Sequence, residues 1–519
     1  MLAISFAPDK TWGMQGKANP DRQMLDAAAF CRQLVPGDSV QAFLADHRRE
    51  LFTDEDFSDL FPSGKGRPSI PVEVICSVMV LQALEGLSDR DAIRQLRNRI
   101  DWKVACGLAL DDEGFDPSVL TCWRARLRRS ARPERVFEAV RKVVEETGVL
   151  ARRHRRALDS TVLDDAVATQ DTVTQLISQV RRVIAAVPSL PSVPLSHDYA
   201  VIGKPLIDWN DPEERAAIVS VLVADAIAIL EAVSDLELTP EQLDAVGLLA
   251  LVSSQDVEPG DEQGSWRIAW KVAKDRVIST VDPESRHAHK SVSVRRDGFK
   301  AHLCVEPETG IVTAAALTPA NAPDARVVGQ LLADEEAGLL VLADSAYGSG
   351  PTRAALRAAG HRQAIKPAPL VRAVPGGFTI DDFVVDEQGR TVTCPAGHAV
   401  PLAVSRTAKF GFRCTGCSFR ERCTRSSSGK RVAITPDHAE LVEARREWRE
   451  KTFLAEYRTY RPMVERGMVW LVANNNRRLR YRGVERNDVW LKTRVAALNL
   501  RRLVRLGLAF DGAGRLSGA

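Results

Sequence analysis

The chain has 519 residues, of which 45% are apolar and 27% charged, and a formal charge of +3 at pH 7. One hydrophobic core does not grow to that length, so two or three domains are expected, and so ordinary a composition excludes fibrous and disordered classes. No apolar run of about 18 residues is present and Met1 to Met14 carry no basic-then-apolar leader, so we expect a cytoplasmic protein with no membrane partner.

The small net charge hides strong segregation. Arg124 to Arg156 holds 12 Arg and Lys against 4 Glu, and Arg466 to Arg505 holds 11 against Glu485 and Asp488. Two basic blocks in a nearly neutral chain point to a polyanion, although solvated helix faces carry Arg as well.

Residues 1–150 read as helices throughout. Asp21–Leu34, Asp38–Leu51, Ile70–Leu84, Ser88–Arg97, Pro117–Arg128 and Pro133–Thr147 repeat apolar residues at three- and four-residue spacing, several opened by Ser, Asp or Pro. Leu87 to Arg97 and Ser118 to Leu127 have the pattern of paired short helices that place one helix in a DNA groove. A packing or dimerisation role fits the same pattern.

A basic linker, Arg152 to Arg156, leads into the second part, residues 151–508. Ala157 to Val162 reads as its first strand, with Asp159 in the interior and β-branched residues after it. Asp164, Asp165 and Asp171 are rivals for a functional carboxylate, but they fall where the pattern turns helical and suit a helix N-terminus better. Residues 172–260 read as a helical insertion, with helices over Thr172–Ala186, Pro212–Val233 and Pro240–Ser253 and a Pro-rich linker from Pro188 to Pro194. Strands return at Trp266. Gly298 to Glu306 alternates, Pro307 to Gly310 makes a hairpin turn, and Ile311 to Leu317 comes back. A helix is expected through Leu332, with Asp324 as its cap. Leu339 to Ala343 then has the look of a strand buried on both faces, ending on Asp344, the position where open α/β sheets place ligands and catalytic groups. A helix over Pro351–Ala359 and a strand over Arg362–Lys366 complete a mixed α/β sheet.

Residues 380–435 form a second insertion. Cys394, Cys414, Cys417 and Cys423 fall within about thirty positions, the density of a structural tetrahedral zinc site, with His398 as a substitute ligand. An empty, reduced remnant is the other reading. Cys31, Cys76, Cys106, Cys122 and Cys304 are scattered among apolar neighbours and read as small buried hydrophobes.

From 439 to 508 the chain is helical and basic. Ala439–Val472 carries Tyr457, Arg461 and Glu465 at four-residue intervals, one face of a helix. A solvated Arg-Glu pair explains that spacing too, but Val464 and Val469 to Val472 make the helix apolar enough to pack on a sheet. Arg477, Arg478, Arg480 and Arg482 then interleave with Tyr481, a composition suited to a phosphate backbone and a stacked base. A helix over Val489–Leu506 and a tail, 509–519, follow.

Three carboxylates, on an early strand, a later strand and a C-terminal helix, are the set that two-metal phosphoryl transfer requires. Hard oxygen ligands hold two Mg²⁺ or Mn²⁺ ions about 4 Å apart.

At this point the chain resembles the DDE transposases of bacterial insertion sequences. The matching pieces are Leu158 to Thr161, Asp297 to His302 with Thr318 to Asp324, Ala343 to Gly348, Tyr457 to Glu465 and Arg480 to Gly483, together with Gly66 to Pro71 and Leu84 to Arg90 in the helical part. The resemblance implies a ribonuclease H-like catalytic domain whose triad is Asp159, Asp344 and Glu465. Tyr457 and Arg461 become contacts to the transposon end. It also implies metal-dependent cleavage of double-stranded DNA at terminal inverted repeats, strand transfer to target DNA, and a homo-oligomer on DNA. A catalytically idle relative acting as a DNA-binding regulator, or a ribonuclease H-like nuclease without strand transfer, are the alternatives.

Overall fold

The computed structural model describes residues 14–17, 25–63, 65–271, 273–289, 295–507, 509–510 and 516–517. Short local signals set the first helices. Asp26 caps α1 (Ala27–Cys31) by accepting from the Ala28 and Ala29 amides, Ser39 caps α2 (Val40–Leu51), and Ser88 caps α4 (Asp89–Asn98). Between them α3 (Val72–Glu85) is buried along nearly its whole length and stops at Gly86, whose φ of 69° suits a residue without Cβ. A Cβ at Gly86 would also run into the Asn474 carbonyl. Then come α5 (Ile100–Cys106), α6 (Ser118–Arg129) and α7 (Arg135–Glu146). Helix α5 was absent from the sequence reading, which saw only a break at Gly107. Of the expected helix over Asp21–Leu34, positions 21–24 lie outside the described residues, and the remainder is α1 followed by a 3₁₀ turn, Arg32–Leu34.

The first strand, β1 (Arg155–Asp164), starts earlier and runs longer than expected, so Asp164 ends a strand and pairs with Arg296 instead of opening a helix. The insertion follows as α8 (Thr172–Ala186), capped by Asp171, α9 (Pro212–Ala232) and α10 (Pro240–Gln255), with the hairpin β2 (Val257–Pro259) and β3 (Trp266–Ile268). It has a core of its own, centred on Leu176, Val180, Leu222 and Leu249.

Strands β4 (Arg286–His289), β5 (Arg295–Val305), β6 (Val312–Pro319), β7 (Leu340–Ala343) and β8 (Arg362–Ile365) complete the main sheet with β1. Its order is β4-β5-β1-β7-β8, with β6 also paired to β5. Strand β1 lies antiparallel to β5 and parallel to β7, and β7 is parallel to β8. The sheet is therefore mixed, as the sequence implied. Helix α11 (Val328–Leu331) and α12 (Gly350–Ala358) accompany β7. Asp324 is not the cap of the turn that precedes α11. It opens a 3₁₀ turn capped by no side chain, and its buried carboxylate accepts from Lys300 and Ser160.

The Cys-rich insertion is built from β9 (Val384–Asp386), β10 (Thr391–Thr393), β11 (Ala399–Pro401), β12 (Thr407–Lys409), α13 (Arg420–Cys423) and β13 (Arg431–Ala433), around a small core of Phe383, Val392, Val400 and Phe410. The expected helix over Ala439–Val472 is two. Helix α14 (His438–Glu447) ends near Trp448, Glu450 adopts an extended backbone, and α15 (Lys451–Val472) begins. The last helix, α16 (Val484–Arg505), starts five residues earlier than read because Asp282 and Glu284 accept from the Gly483 and Val484 amides at its N-terminus. No helix among the described residues is long and apolar enough to cross a membrane.

Helix α15 lies across β1, β5, β7 and β8, and α16 packs against β6, α3 and α7. One continuous core thus runs from Leu44 and Val78 through Leu303 and Val464 to Val495. At its centre sits Arg494, fully buried without a carboxylate partner. Its guanidinium donates to the carbonyls of Ala83 and Leu84 at the end of α3 and of Trp470, Leu471 and Ala473 at the end of α15. Helix-end carbonyls have no intrahelical donor, and five of them share this one cation. Burial, with Arg501 adding, pushes its pKa down to about 9. We predict that Arg494→Lys lowers unfolding free energy by roughly 2–4 kcal/mol, since an ammonium cannot reach five carbonyls at once. Urea unfolding checks it, and an unchanged midpoint would show the five contacts to be dispensable.

Candidate active site

The centre begins with strand register. Parallel pairing sets Arg155 opposite Leu340, Arg156 opposite Val341 and Ala157 opposite Leu342. The ladder stops there, two residues before Asp159 on β1 and two before Asp344 past the end of β7, and the charge of Asp159 acts on Asp344. Asp344 stands just beyond the end of β7, where its side chain accepts from the Ala346 amide and begins the turn Ser345–Tyr347.

Alternation along β1 decides which face each side chain takes. Ala157 and Leu163 belong to the core beneath α15, whereas Leu158 packs on the opposite face with Val341 and Tyr347. Asp159 has the parity of the α15 face. There Arg461 meets it, with Nη2 2.9 Å from Asp159 Oδ1 and the two side chains 6% and 16% exposed. Burial works against the charged form of Arg461, but Asp159 and then Tyr457 outweigh it and hold its pKa above the ordinary value. Arg461 is therefore buried against a strand, on a helix that packs on the sheet as its apolar residues implied, and the solvated Arg461–Glu465 pair is not what forms. The Nε and Nη1 of Arg461 have no hydrogen-bond partner among the described residues.

Tyr457 lies in the electrostatic neighbourhood of the same guanidinium, and its ring stacks edge-on to Trp448 at 4.9 Å. Burial raises its phenol, Arg461 opposes, and Asp344 and Glu465 add, which puts both carboxylates in its electrostatic neighbourhood. Glu465 itself, one turn beyond Arg461 on α15, is exposed. Asp344 is driven above the usual carboxylate range by burial, with Asp159 and Asp324 adding and Arg461 opposing.

Asp159, Asp344, Arg461 and Tyr457 are thus brought together, with Glu465 at the rim. Among the described residues no three His, Cys, Asp or Glu side chains are close enough to form a metal-holding group. The donor chemistry nevertheless fits a divalent cation: two hard carboxylates share a half-buried end of the sheet, and one of them is penalised for being charged without a cation beside it. The rivals have other partners. Asp165 bonds to Ser285 and Asp171 caps α8.

The basic stretch divides. Arg477 donates to the Val162 carbonyl and Arg480 to the Gly86 carbonyl, so both brace the fold, while Arg478 and Arg482 are exposed. Tyr481 is not a free stacking platform. It packs against the main core, and Arg124 covers its ring at 5.5 Å.

In the small insertion Cys394, Cys414, Cys417 and Cys423 line one cavity with His398, Phe410 and Lys430. Burial raises the Cys423 thiol, and the other three cysteines add to the shift.

A buried ion pair is costly to break from one side. We predict that Arg461→Met and Asp159→Asn each destabilise the chain and that the double variant is less harmed than their sum, with a coupling of roughly 1–3 kcal/mol in a denaturation cycle. Additive effects would dissociate the two groups.

Comparison with known families was made against this geometry. Residues 30–126 match the model described as Transposase domain (DUF772), and residues 393–504 match the model described as Transposase DDE domain. No curated protein and no solved structure matches the chain.

Proposed function

We propose that the chain, by its two family matches a DDE transposase of an insertion sequence, cuts double-stranded DNA at transposon inverted-repeat ends and joins the freed 3′ ends to target DNA. The observation that supports the reading is the parallel pairing of β1 with β7, which leads toward Asp159 and Asp344, together with the Arg461–Asp159 contact from the helix that carries Glu465. We read the α/β part as ribonuclease H-like, and the sheet order, with β1 between an antiparallel β5 and a parallel β7, supports that.

In this reading Asp159, Asp344 and Glu465 hold the metal ions. A bound pair of Mg²⁺ or Mn²⁺ ions supplies activation of the attacking oxygen and stabilisation of the leaving oxygen in an in-line displacement. Arg461 keeps Asp159 neutralised until then, and its two unpartnered donors suit a phosphate oxygen of the transposon end. Tyr457 orients that guanidinium. Arg478 and Arg482, both exposed, suit backbone phosphates further along the duplex. Arg477 and Arg480 serve the DNA only indirectly, by holding this segment against β1 and α3.

The helical segment 1–150 is read as the part that binds DNA or a second copy, and 151–508 as the catalytic part, interrupted by the insertions 172–260 and 380–435. Separate hydrophobic cores in the two insertions support that division. Two ends must be handled in one reaction, so a homo-oligomer assembled on DNA belongs to the same reading. In the small insertion the four thiols suit a structural Zn²⁺. Four protein ligands would leave no open position, so its role there is to hold the insertion together.

Two outcomes test this. Asp344→Asn should cut a labelled terminal-repeat duplex more than about 10³-fold slower, the scale of loss when one member of a catalytic unit is removed, and should still bind the duplex. Wild-type protein that binds and never cuts in Mg²⁺ would instead be a DNA-binding regulator. For the small insertion, elemental analysis should find about one zinc per chain, absent after Cys417→Ser, and a zinc-free yet folded wild type would remove the metal from the account.

A further inference from the structure

Several short motifs are not used by the chemistry above, and they meet at one place. On the face of β1 opposite Arg461, Ser160 Oγ donates to Asp324 Oδ2 at 2.9 Å. Lys300 Nζ donates to Asp324 Oδ1 at 2.5 Å and to the Ala322 carbonyl at 2.8 Å. The Tyr347 hydroxyl lies 3.0 Å from His302 Nδ1, and His302 Nε2 lies 3.0 Å from Thr318 Oγ1. His302 and Tyr347 are fully buried and Asp324 nearly so.

Asp324, held by Lys300, is acceptor only, so Ser160 gives it a proton. Tyr347 and Thr318 flank the two ring nitrogens of His302, and one donor and one acceptor on a neutral imidazole satisfy both, in keeping with burial, which pushes the His302 pKa down to about 4. Lys300 and His302 stand on the same strand, β5, so both groups of bonds are anchored there. Buried polar networks whose members are satisfied rigidify what they touch.

What these touch are the two strand-borne carboxylates. Ser160 follows Asp159 directly, and Tyr347 closes the 3₁₀ turn that Asp344 opens. We propose that Tyr347 and Ser160 are positioning residues, and that the two hydrogen-bonded groups anchored on β5, Lys300–Asp324–Ser160 and Thr318–His302–Tyr347, fix the separation of Asp159 and Asp344 for divalent metal. The inference rests on the reading of those two aspartates as metal ligands. Arg461 approaches Asp159 from above the sheet, while these two groups hold the same two strand ends from below.

The test is Tyr347→Phe, which keeps the ring and removes only the hydroxyl. Two readouts are needed: Mn²⁺ binding to the full chain without DNA, followed by electron paramagnetic resonance, and the Mg²⁺ concentration for half-maximal cleavage of a terminal-repeat duplex. We expect the Mn²⁺ Kd and the Mg²⁺ midpoint each to rise about 10-fold or more, the usual loss when a group supporting a metal ligand is removed. Cleavage should be partly restored by Mn²⁺, because Mg²⁺ is the more demanding of near-ideal octahedral geometry. Val180→Ala, in the separate core of the insertion, serves as the stability control and should lower the melting temperature without moving either metal readout. If Tyr347→Phe matches wild type in both, or if Val180→Ala moves them equally, the positioning role is wrong. A wild type that binds no Mn²⁺ and cuts nothing would overturn the metal-ligand reading itself, and this inference with it.

Discussion

Pairing between β1 and β7 is the constraint on which the rest of the centre depends. Strand side chains alternate, so a slip of one residue would turn Asp159 to the other face and put Ser160 under Arg461. The register is held by apolar side chains. Ala157, Leu158, Val341 and Leu342 are fully buried, on both faces, and none can exchange faces without opening a core. The carboxylates gain their place from that packing and add nothing to it. Two acids beside one another in a half-buried pocket are unfavourable, and the penalty appears in the raised pKa of Asp344. Arg461 brings in the positive charge that makes the arrangement tolerable.

Arginine does two different jobs in the C-terminal basic block. Arg494, Arg477, Arg480 and Arg502 are spent on backbone carbonyls, and the planar five-donor fork of Arg494 bridges two helix ends. Arg478 and Arg482 face solvent instead. Arg494 thus joins the end of α3 to the end of α15, the helix that carries Tyr457, Arg461 and Glu465. The N-terminal helices and the sheet therefore share one core, and the family match to residues 30–126 covers helices that buttress the candidate centre as well as whatever else they do.

Much of this was legible in the sequence, because local signals coincided with the fold. Asp171 and Thr172–Ala186 were read with the cap and bounds they have, and a short apolar run bounded by turns correctly gave the strand that ends on Asp344. What escaped were pairings across the chain. Asp324 precedes a helical turn and so reads as a cap, yet its partners are Lys300, on the far side of a hairpin, and Ser160, on the first strand. The apolar residues of the Arg461 and Glu465 helix imply packing on a sheet, but no local pattern names Asp159 as the partner of Arg461. Tyr481 amid arginines reads as a stacking platform until Arg124, from another helix, is found over its ring. The break between α14 and α15 was missed because apolar periodicity continues through Trp448 while the backbone at Glu450 does not.

Convergence of the three carboxylates can be measured without any assay of DNA chemistry. The full chain would be loaded with Fe²⁺ in place of Mg²⁺ and treated with ascorbate and peroxide, so that hydroxyl radicals cut the polypeptide where the metal sits. The account predicts cuts clustered around residues 159, 344 and 461–465, suppressed by excess Mg²⁺. Cuts near only one of these segments, or competition-resistant cuts elsewhere, would contradict it.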